Sequence, residues 1–443
     1  VQGLQTEAVF DAATNEFVIQ NKSVSSYKWW PGELGDLANM VVLYAKTVVN
    51  GKNIGVLPFV VQIRDLDTHE LFKGVHVGDI GPKFGFTAKE NGFLFFDDYR
   101  IPRANLLSRF FDIDPAGKLL VKGNPKVSYA SMMKVRIFML SASAHQLGRG
   151  VAIAVRYSHL RSQFKNEQGR EETIINYQLQ QHKLLPLVAK TYAMISGFQH
   201  VLRVVNQVNE DRLANKFTRL QECHILLAGA KALFTAWCNS GLVVCLQCCG
   251  GHGFLSSSGI PPIVGTAMPN AIMEGDVSIL LMQVGRYLMK SVGYVQREKL
   301  DKLNGHIAYM REHKSLEAFT ASADAAFFSL DNLLTLFRKC AYALSVCAME
   351  DLARSSMETS LQHAFNKKSA IKICDAARVH TLAFTIDYFI KSVRAGGSES
   401  LRRVMGDLCT LFILDQIFDN AASFVASRSL AGEHLAALKD LYE

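Results

Sequence analysis

Long uninterrupted apolar runs are missing from this 443-residue chain, and that absence argues first against a membrane-spanning protein. The longest apolar stretch, Ile225 to Cys249, is broken by Lys231, Asn239 and Gln247, and predicts a buried helix pair. Charge is sparse as well: Asp, Glu, Lys and Arg make up only 20% of the residues. The balance is +8, but the Lys and Arg are scattered through mixed segments. That disfavours a nucleic-acid surface and leaves either a diffuse solvated surface or a cleft that handles an anion. The nine cysteines lack the loop-rich spacing of a secreted disulfide scaffold and sit in apolar helical surroundings, so a reducing compartment is expected and no disulfide framework is implied. There is no internal repeat of 20 to 50 residues and no low-complexity tract. An initiator Met and a signal-like leader are lacking too, and the expectation is that the chain is an incomplete piece at its N-terminus and also at its C-terminus.

What is present falls into two patterns. From Val1 to about Phe111, apolar residues alternate with period two, as in Ala8 to Phe10, Phe17 to Ile19, Val41 to Tyr44, Val56 to Ile63 and Phe93 to Phe96, which predicts strands. Asn50-Gly51 and Asn91-Gly92 each precede an apolar run and predict tight hairpin turns. A polar segment with Pro and Gly, Asp114 to Lys126, ends this region. From Ser131 onwards apolar residues recur at three and four spacings, as in Ile137, Leu140, Ala144, Leu147 and Val151, which predicts helices. A second soft boundary lies near Leu300 to His313. The expected class is α+β: an antiparallel β domain over 1–120, then two α-helical bundle domains over 121–298 and 299–443. The strand–helix alternation of a doubly wound sheet is absent, which argues against a Rossmann nucleotide site and leaves open a cofactor bound between domains.

Four clusters can carry chemistry. Glu274 follows Ala271-Ile272-Met273 and precedes Gly275 and a helical pattern through Leu280, Leu281 and Leu288. A carboxylate in apolar surroundings has its charged form disfavoured, which moves its pKa towards general-base use; the plainer reading is an acidic first turn of a helix. Cys248 to Phe254 contains Gly250, Gly251 and Gly253, which either let backbone approach a phosphate or cap a helix ahead of a tight connection. Cys245, Cys248, Cys249 and His252 raise zinc as an alternative, but a second compact ligand pair is lacking and no metal is expected. Tyr27-Lys28-Trp29-Trp30-Pro31-Gly32 holds two of the three tryptophans, either as a wall for a planar ring or as a plug for a small core. Arg161, Gln178 and Gln181 can present a guanidinium and amides to a pyrophosphate, or are ordinary surface residues.

In this order the clusters resemble the acyl-CoA oxidase family and, more distantly, the acyl-CoA dehydrogenases. The similarity runs from Gly3 to about Lys290 and more loosely beyond. It is carried by Lys28-Trp29-Trp30-Pro31-Gly32, by Val77 to Gly85, by Asn91-Gly92, by Tyr99 to Arg103 and by Asn105 to Leu107. In the helical part, Arg156-Tyr157-Ser158 with Arg161, Tyr177 to Gln181, Cys249 to Phe254, Ser257 to Pro261 and Met273-Glu274-Gly275-Asp276 continue it.

The resemblance implies an FAD-dependent oxidoreductase of fatty acid β-oxidation that converts fatty acyl-CoA to trans-2-enoyl-CoA and reduces oxygen to hydrogen peroxide. Glu274 would be the catalytic base, with its own backbone N–H among the donors to the thioester oxygen. Gly32, Trp30, Arg161, Gln178, Gln181, Gly250, Gly251 and Gly253 would contact FAD. A homodimer with the flavin at the subunit interface is implied, Arg161 and the Gly-rich turn reaching the flavin of the partner subunit. A peroxisomal location is implied as well, with mitochondrion and cytoplasm as alternatives; the chain ends Leu441-Tyr442-Glu443, which is not a Ser-Lys-Leu address. Three departures from the family pattern stand out: Val277 and Ser278 replace Asn or Thr after the Glu, Met273 replaces an aromatic residue, and Val243, Val244 and Leu246 replace acidic and Arg residues. They keep a second expectation in play, a catalytically degenerate relative that serves as a structural or assembly subunit. A dehydrogenase that hands electrons to another flavoprotein is a third.

Overall fold

The computed structural model describes residues 3–122, 130–214, 216–322 and 325–442, divided into two compact units, Val1–Tyr129 and Ala130–Glu443. In the first unit the period-two pattern becomes strands β1 (Glu7–Asp11), β2 (Glu16–Gln20), β3 (Lys28–Gly32), β4 (Met40–Val49), β5 (Lys52–Gln62), β6 (Val75–Asp79), β7 (Asn91–Phe96) and β8 (Tyr99–Pro102). One sheet has the order β5-β4-β1-β2-β8 and another β3-β7-β6. Their pairs are antiparallel except β1 with β4, which run parallel. Alternate residues, among them Phe17, Ile19, Phe59, Val61 and Phe96, are fully buried in one core, as the pleat requires. A small pair, β9 (Phe111–Ile113) with β10 (Leu119–Val121), follows; residues 123–126 of the expected boundary segment lie outside the described residues.

The two Asn-Gly pairs part company. Asn50 and Gly51 have φ of +50° and +72° and close the β4–β5 hairpin, as expected. Asn91-Gly92 is not a turn: both residues lie in β7, facing Gly32 and Asp79 respectively. Gly92 is there because a Cβ would come within 2.6 Å of the Gly35 nitrogen, so its demand is for close approach and not for positive φ. Buried Arg64 donates to the carbonyls of Gly35 and Ala38 and fixes the loop that follows β3.

The second unit begins with α1 (Ala130–Leu160), a hairpin of β11 (Ser162–Lys165) and β12 (Glu171–Thr173), α2 (Gln178–Leu213), α3 (Leu220–Cys248), α4 (Gly250–Phe254), α5 (Ile260–Ala267) and α6 (Val277–Gln296). After short 3-10 turns at Leu300–Lys302 and Gly305–Glu312 come α7 (His313–Ala318), α8 (Leu330–Glu358), α9 (Leu361–His363), α10 (Ala370–Arg394), α11 (Glu399–Asp419), α12 (Ala421–Ala426) and α13 (Gly432–Tyr442). A continuous core runs from Ile137 to Leu438 and includes Leu303, Ile307 and Met310 from the segment expected as a soft boundary.

The stretch expected to form a helix pair is one helix of 29 residues, α3. One of its polar interruptions, Asn239, is satisfied without breaking it, its Nδ2 donating to the Met268 carbonyl at 3.2 Å, and the neighbouring Ser240 Oγ donates back to the Ala236 carbonyl at 3.1 Å. Helix α3 is long and apolar enough to cross a membrane, yet most of it is packed against α1, α2, α5, α6 and α10. That placement makes it the central helix of the unit.

Candidate functional site

Glu274 lies in the short loop between the 3-10 turn Met268–Ala271 and α6. The acidic first-turn reading therefore fails, because the helix is capped by Asp276, whose carboxylate accepts from the Ser278 N–H at 2.8 Å. Glu274 itself has φ of +57° and Gly275 has φ of +112°. A left-handed glutamate is strained by about 1–2 kcal/mol, so the surroundings must hold it there. Two buried cations do so. Arg136 of α1 donates through Nε to the Glu274 carbonyl at 3.2 Å, and Lys231 of α3 donates through Nζ to the Gly275 carbonyl at 2.6 Å.

Both cations are strongly desolvated. Lys231 is fully buried, and burial, with Arg136 beside it, brings its pKa down to about 8 against the pull of Asp276 and Glu274. Burial lowers the Arg136 guanidinium too, and the Glu274 charge opposes this. His224 completes the group: its Nδ1 lies 3.3 Å from Arg136, and burial and that guanidinium favour its neutral form. The expectation of apolar surroundings for Glu274 is thus corrected. Ile272 and Met273, the apolar residues before it, are exposed, while the groups close to the carboxylate's own segment are cationic.

The Gly-rich cluster sits where α3 ends. Cys249 caps the helix and Gly250 follows at φ +58°, the left-handed position that terminates a helix. Gly250 and Gly251 are exposed, and a Cβ at either would meet nothing within 4 Å. Gly253 differs: a Cβ there would lie 2.1 Å from the Leu246 carbonyl, so packing alone demands glycine. Around the turn, Tyr157 Oη pairs with His252 Nδ1 at 3.1 Å, and Gln180 Nε2 donates to Ser158 Oγ and to the Cys248 carbonyl. Gln180 ties α1, α2 and α3 together here, and sequence reasoning passed it over for its neighbours. Gln178, the first residue of α2, is exposed and Gln181 half-buried; Arg161, just past α1, is exposed and reaches Gln163. Cys245, Cys248 and Cys249 are buried thiols whose pKa values burial raises, and among the described residues no group of three or more His, Cys, Asp or Glu is placed to hold a metal.

In the first unit, Trp29 and Trp30 are 52% and 60% exposed, so neither indole plugs a core. Trp29 stacks on Phe93 with centroids 5.5 Å apart. Trp30 has φ of +90°, and its carbonyl accepts from Asn91 Nδ2 at 2.7 Å. Gly32 ends β3 opposite Asn91, with the Lys89 side chain over its α-carbon.

Within the second unit the predicted residues, with the groups that hold them, lie at opposite ends of α1. Arg136 and the Glu274 loop lie near its start; Arg161, Gln178, Gln181 and the glycine turn lie near its finish, where Ser158 is roughly 33 Å from Arg136 at 1.5 Å per residue. Lys231 and Arg136 were missed as site residues. The available signal was a lone charge inside an apolar helical pattern, which was read only as an interruption.

Comparison with known proteins places the chain. Its residues 129–289 match the model of the acyl-CoA oxidase C-alpha1 domain, and 329–443 match a second acyl-CoA oxidase model. The chain belongs to the acyl-CoA oxidase family. Among curated relatives it is 34% identical to bovine (Bos taurus) peroxisomal acyl-coenzyme A oxidase 1, over 96% of this chain and 65% of that protein. It is 32% identical to the mouse (Mus musculus) protein of the same name, over 98% and 67%. Among solved structures, Arabidopsis thaliana acyl-CoA oxidase 1 superposes with a TM-score of 0.93 at 31% identity, over all of this chain and 67% of that one. Caenorhabditis elegans acyl-CoA oxidase-2, solved with FAD, ascaroside-CoA and ATP, gives 0.92 at 30% identity, over all of this chain and 65% of that one. The chain thus spans about two thirds of the length of these relatives.

Proposed function

We propose that the protein is an FAD-dependent acyl-CoA oxidase that desaturates fatty acyl-CoA to trans-2-enoyl-CoA and generates hydrogen peroxide. The observation that carries this reading is the Glu274 loop: a half-buried carboxylate on a left-handed residue, with its own carbonyl and that of Gly275 held by buried cations. Strained residues that their surroundings hold in place cluster at active sites, which supports this reading. In the reaction Glu274 removes the α-proton of the thioester, and its backbone N–H donates to the thioester oxygen as charge develops there. The α-C–H is a very weak acid, so that donor matters as much as the base.

The residues present fit FAD. In the first unit, taken by itself, Trp30 offers an exposed indole whose backbone Asn91 holds, with Gly32 two residues on; in the second, taken by itself, Gly250 and Gly251 leave open backbone for a pyrophosphate, with the exposed Arg161 and Gln178 at the same end of α1. FAD, when bound, supplies the acceptor for the substrate's β-hydride and the route of its electrons to oxygen. The separation of the Glu274 loop from the glycine turn along α1 supports a homodimer in which each chain lends its turn to the partner's cofactor. The peroxisomal names of the relatives support a peroxisomal setting.

The test is a flavin absorption spectrum of the purified protein, then anaerobic addition of palmitoyl-CoA and admission of air. Bleaching that reverses with peroxide release, and that disappears in Glu274→Gln, supports the oxidase. A protein that stays colourless after added FAD favours a structural relative, and bleaching that air does not reverse favours a dehydrogenase.

A further inference from the structure

Lys231 occupies the middle of α3 with no exposed surface, in a run of the helix where Leu227, Ala228, Ala230 and Ala232 are buried as well. An ammonium in such a place is costly, and a buried ion is a poor way to gain stability, because an apolar side chain of similar size often does better. What the ammonium does here is conformational. Its Nζ holds the Gly275 carbonyl at 2.6 Å, while Arg136, from α1, holds the adjacent Glu274 carbonyl at 3.2 Å. The two bonds fix consecutive peptide planes on the C-terminal side of the Glu274 α-carbon. The Asp276 cap then anchors the loop to α6. With φ of +57°, Glu274 is left without a reason to stay in place if either plane is released.

We infer that Lys231 is a positioning residue for the proposed reaction: through the Gly275 carbonyl it holds the Glu274 carboxylate and backbone N–H in their working orientation. This rests on the oxidase reading. Lys231 acts through the loop, and its charge is the feature that matters, since a charged donor makes the stronger bond to a carbonyl. Displacement of a base by about 1 Å is enough to cost orders of magnitude in rate.

The experiment compares full-chain wild type with Lys231→Met and with Lys190→Met, a control that removes another buried lysine, one paired with Asp415 on α11 and remote in sequence from the loop. Two readouts are taken: amide hydrogen exchange of residues 272–280, which needs no turnover, and steady-state kinetics of the FAD-loaded enzyme. The expected result for Lys231→Met is exchange about tenfold faster in that segment, and kcat about tenfold lower or more with KM within about twofold. Lys190→Met should show neither. Lys231→Gln, a milder change that keeps a shorter donor, is expected between wild type and Lys231→Met and serves if the latter does not fold. Unchanged exchange, unchanged kcat, or equal losses in the Lys231 and Lys190 variants would overturn the inference. A wild type that does not turn over overturns the oxidase reading and the positioning role with it. Failure of the inference alone looks different: the wild type turns over and Lys231→Met matches it.

Discussion

The two glycine-bearing turns of the helical unit look alike in sequence and differ in construction. Both carry a left-handed residue, Glu274 with Gly275 in one and Gly250 in the other. The Glu274 turn is held from beneath by Lys231 and Arg136, and from its C-terminal side by the Asp276 cap. The Cys249–Phe254 turn ends a helix, rests on the contact of Gly253 with the Leu246 carbonyl and leaves Gly250 and Gly251 facing open space. Charge is placed under the carboxylate proposed as the base. Bare backbone is left at the turn proposed to meet the cofactor.

The largest effect expected from breaking this contrast is at the aimed carboxylate. Glu274→Gln removes the proposed base and should lower kcat by about 10³-fold, within the range a positioned base supplies, with the flavin spectrum retained. Stopped-flow flavin reduction measures it, and a variant that reduces flavin at the wild-type rate would move the base elsewhere. Next comes the packed glycine. Gly253→Ala brings a Cβ against a main-chain oxygen 2.1 Å away, which the backbone must move to relieve. A loss of about 2–4 kcal/mol is expected, visible as a fall of several degrees in Tm.

A smaller, pH-dependent effect separates Lys231 from an ordinary core residue. Its pKa falls from 10.5 to about 8 on folding, so between those values the unfolded chain binds more protons and the stability contributed by this group rises with pH. Below about pH 8 the full penalty of the buried ammonium is present. The stability of wild type minus that of Lys231→Met should therefore increase from pH 8 to pH 10.5, measured by thermal unfolding of the pair. A flat difference would mean that the ammonium is not desolvated.

These contrasts also mark what was legible in the sequence. Periodicity is local, so strands such as Phe93 to Phe96 and the helical stripe from Ile137 were readable from residue spacing. The same dipeptide, Asn-Gly, made a turn at residue 50 and a strand at residue 91, because the second is dictated by the Gly35 backbone, which is remote in sequence. Likewise, Asn239 looked like an interruption of the apolar stretch because its partner, the Met268 carbonyl, is supplied by the fold. Glu274 was found through resemblance. The cations beneath it were not, since a lone Lys in an apolar run does not say what it faces.

The smallest effect tests the open half of the contrast. Gly251 has no left-handed φ, and a methyl group on its α-carbon would meet no neighbour within 4 Å, so Gly251→Ala should leave folding stability within about 0.5 kcal/mol of wild type. If the turn merely caps α3, the substitution is silent in every assay. If its backbone lies against the pyrophosphate of FAD, a methyl group intrudes on the ligand alone, and FAD affinity should fall by up to about tenfold while Tm without cofactor stays put. Fluorescence titration of the cofactor-free protein with FAD distinguishes the two. Equal affinity in wild type and Gly251→Ala would assign the open turn to helix capping and leave Arg161 and Gln178 to hold the cofactor.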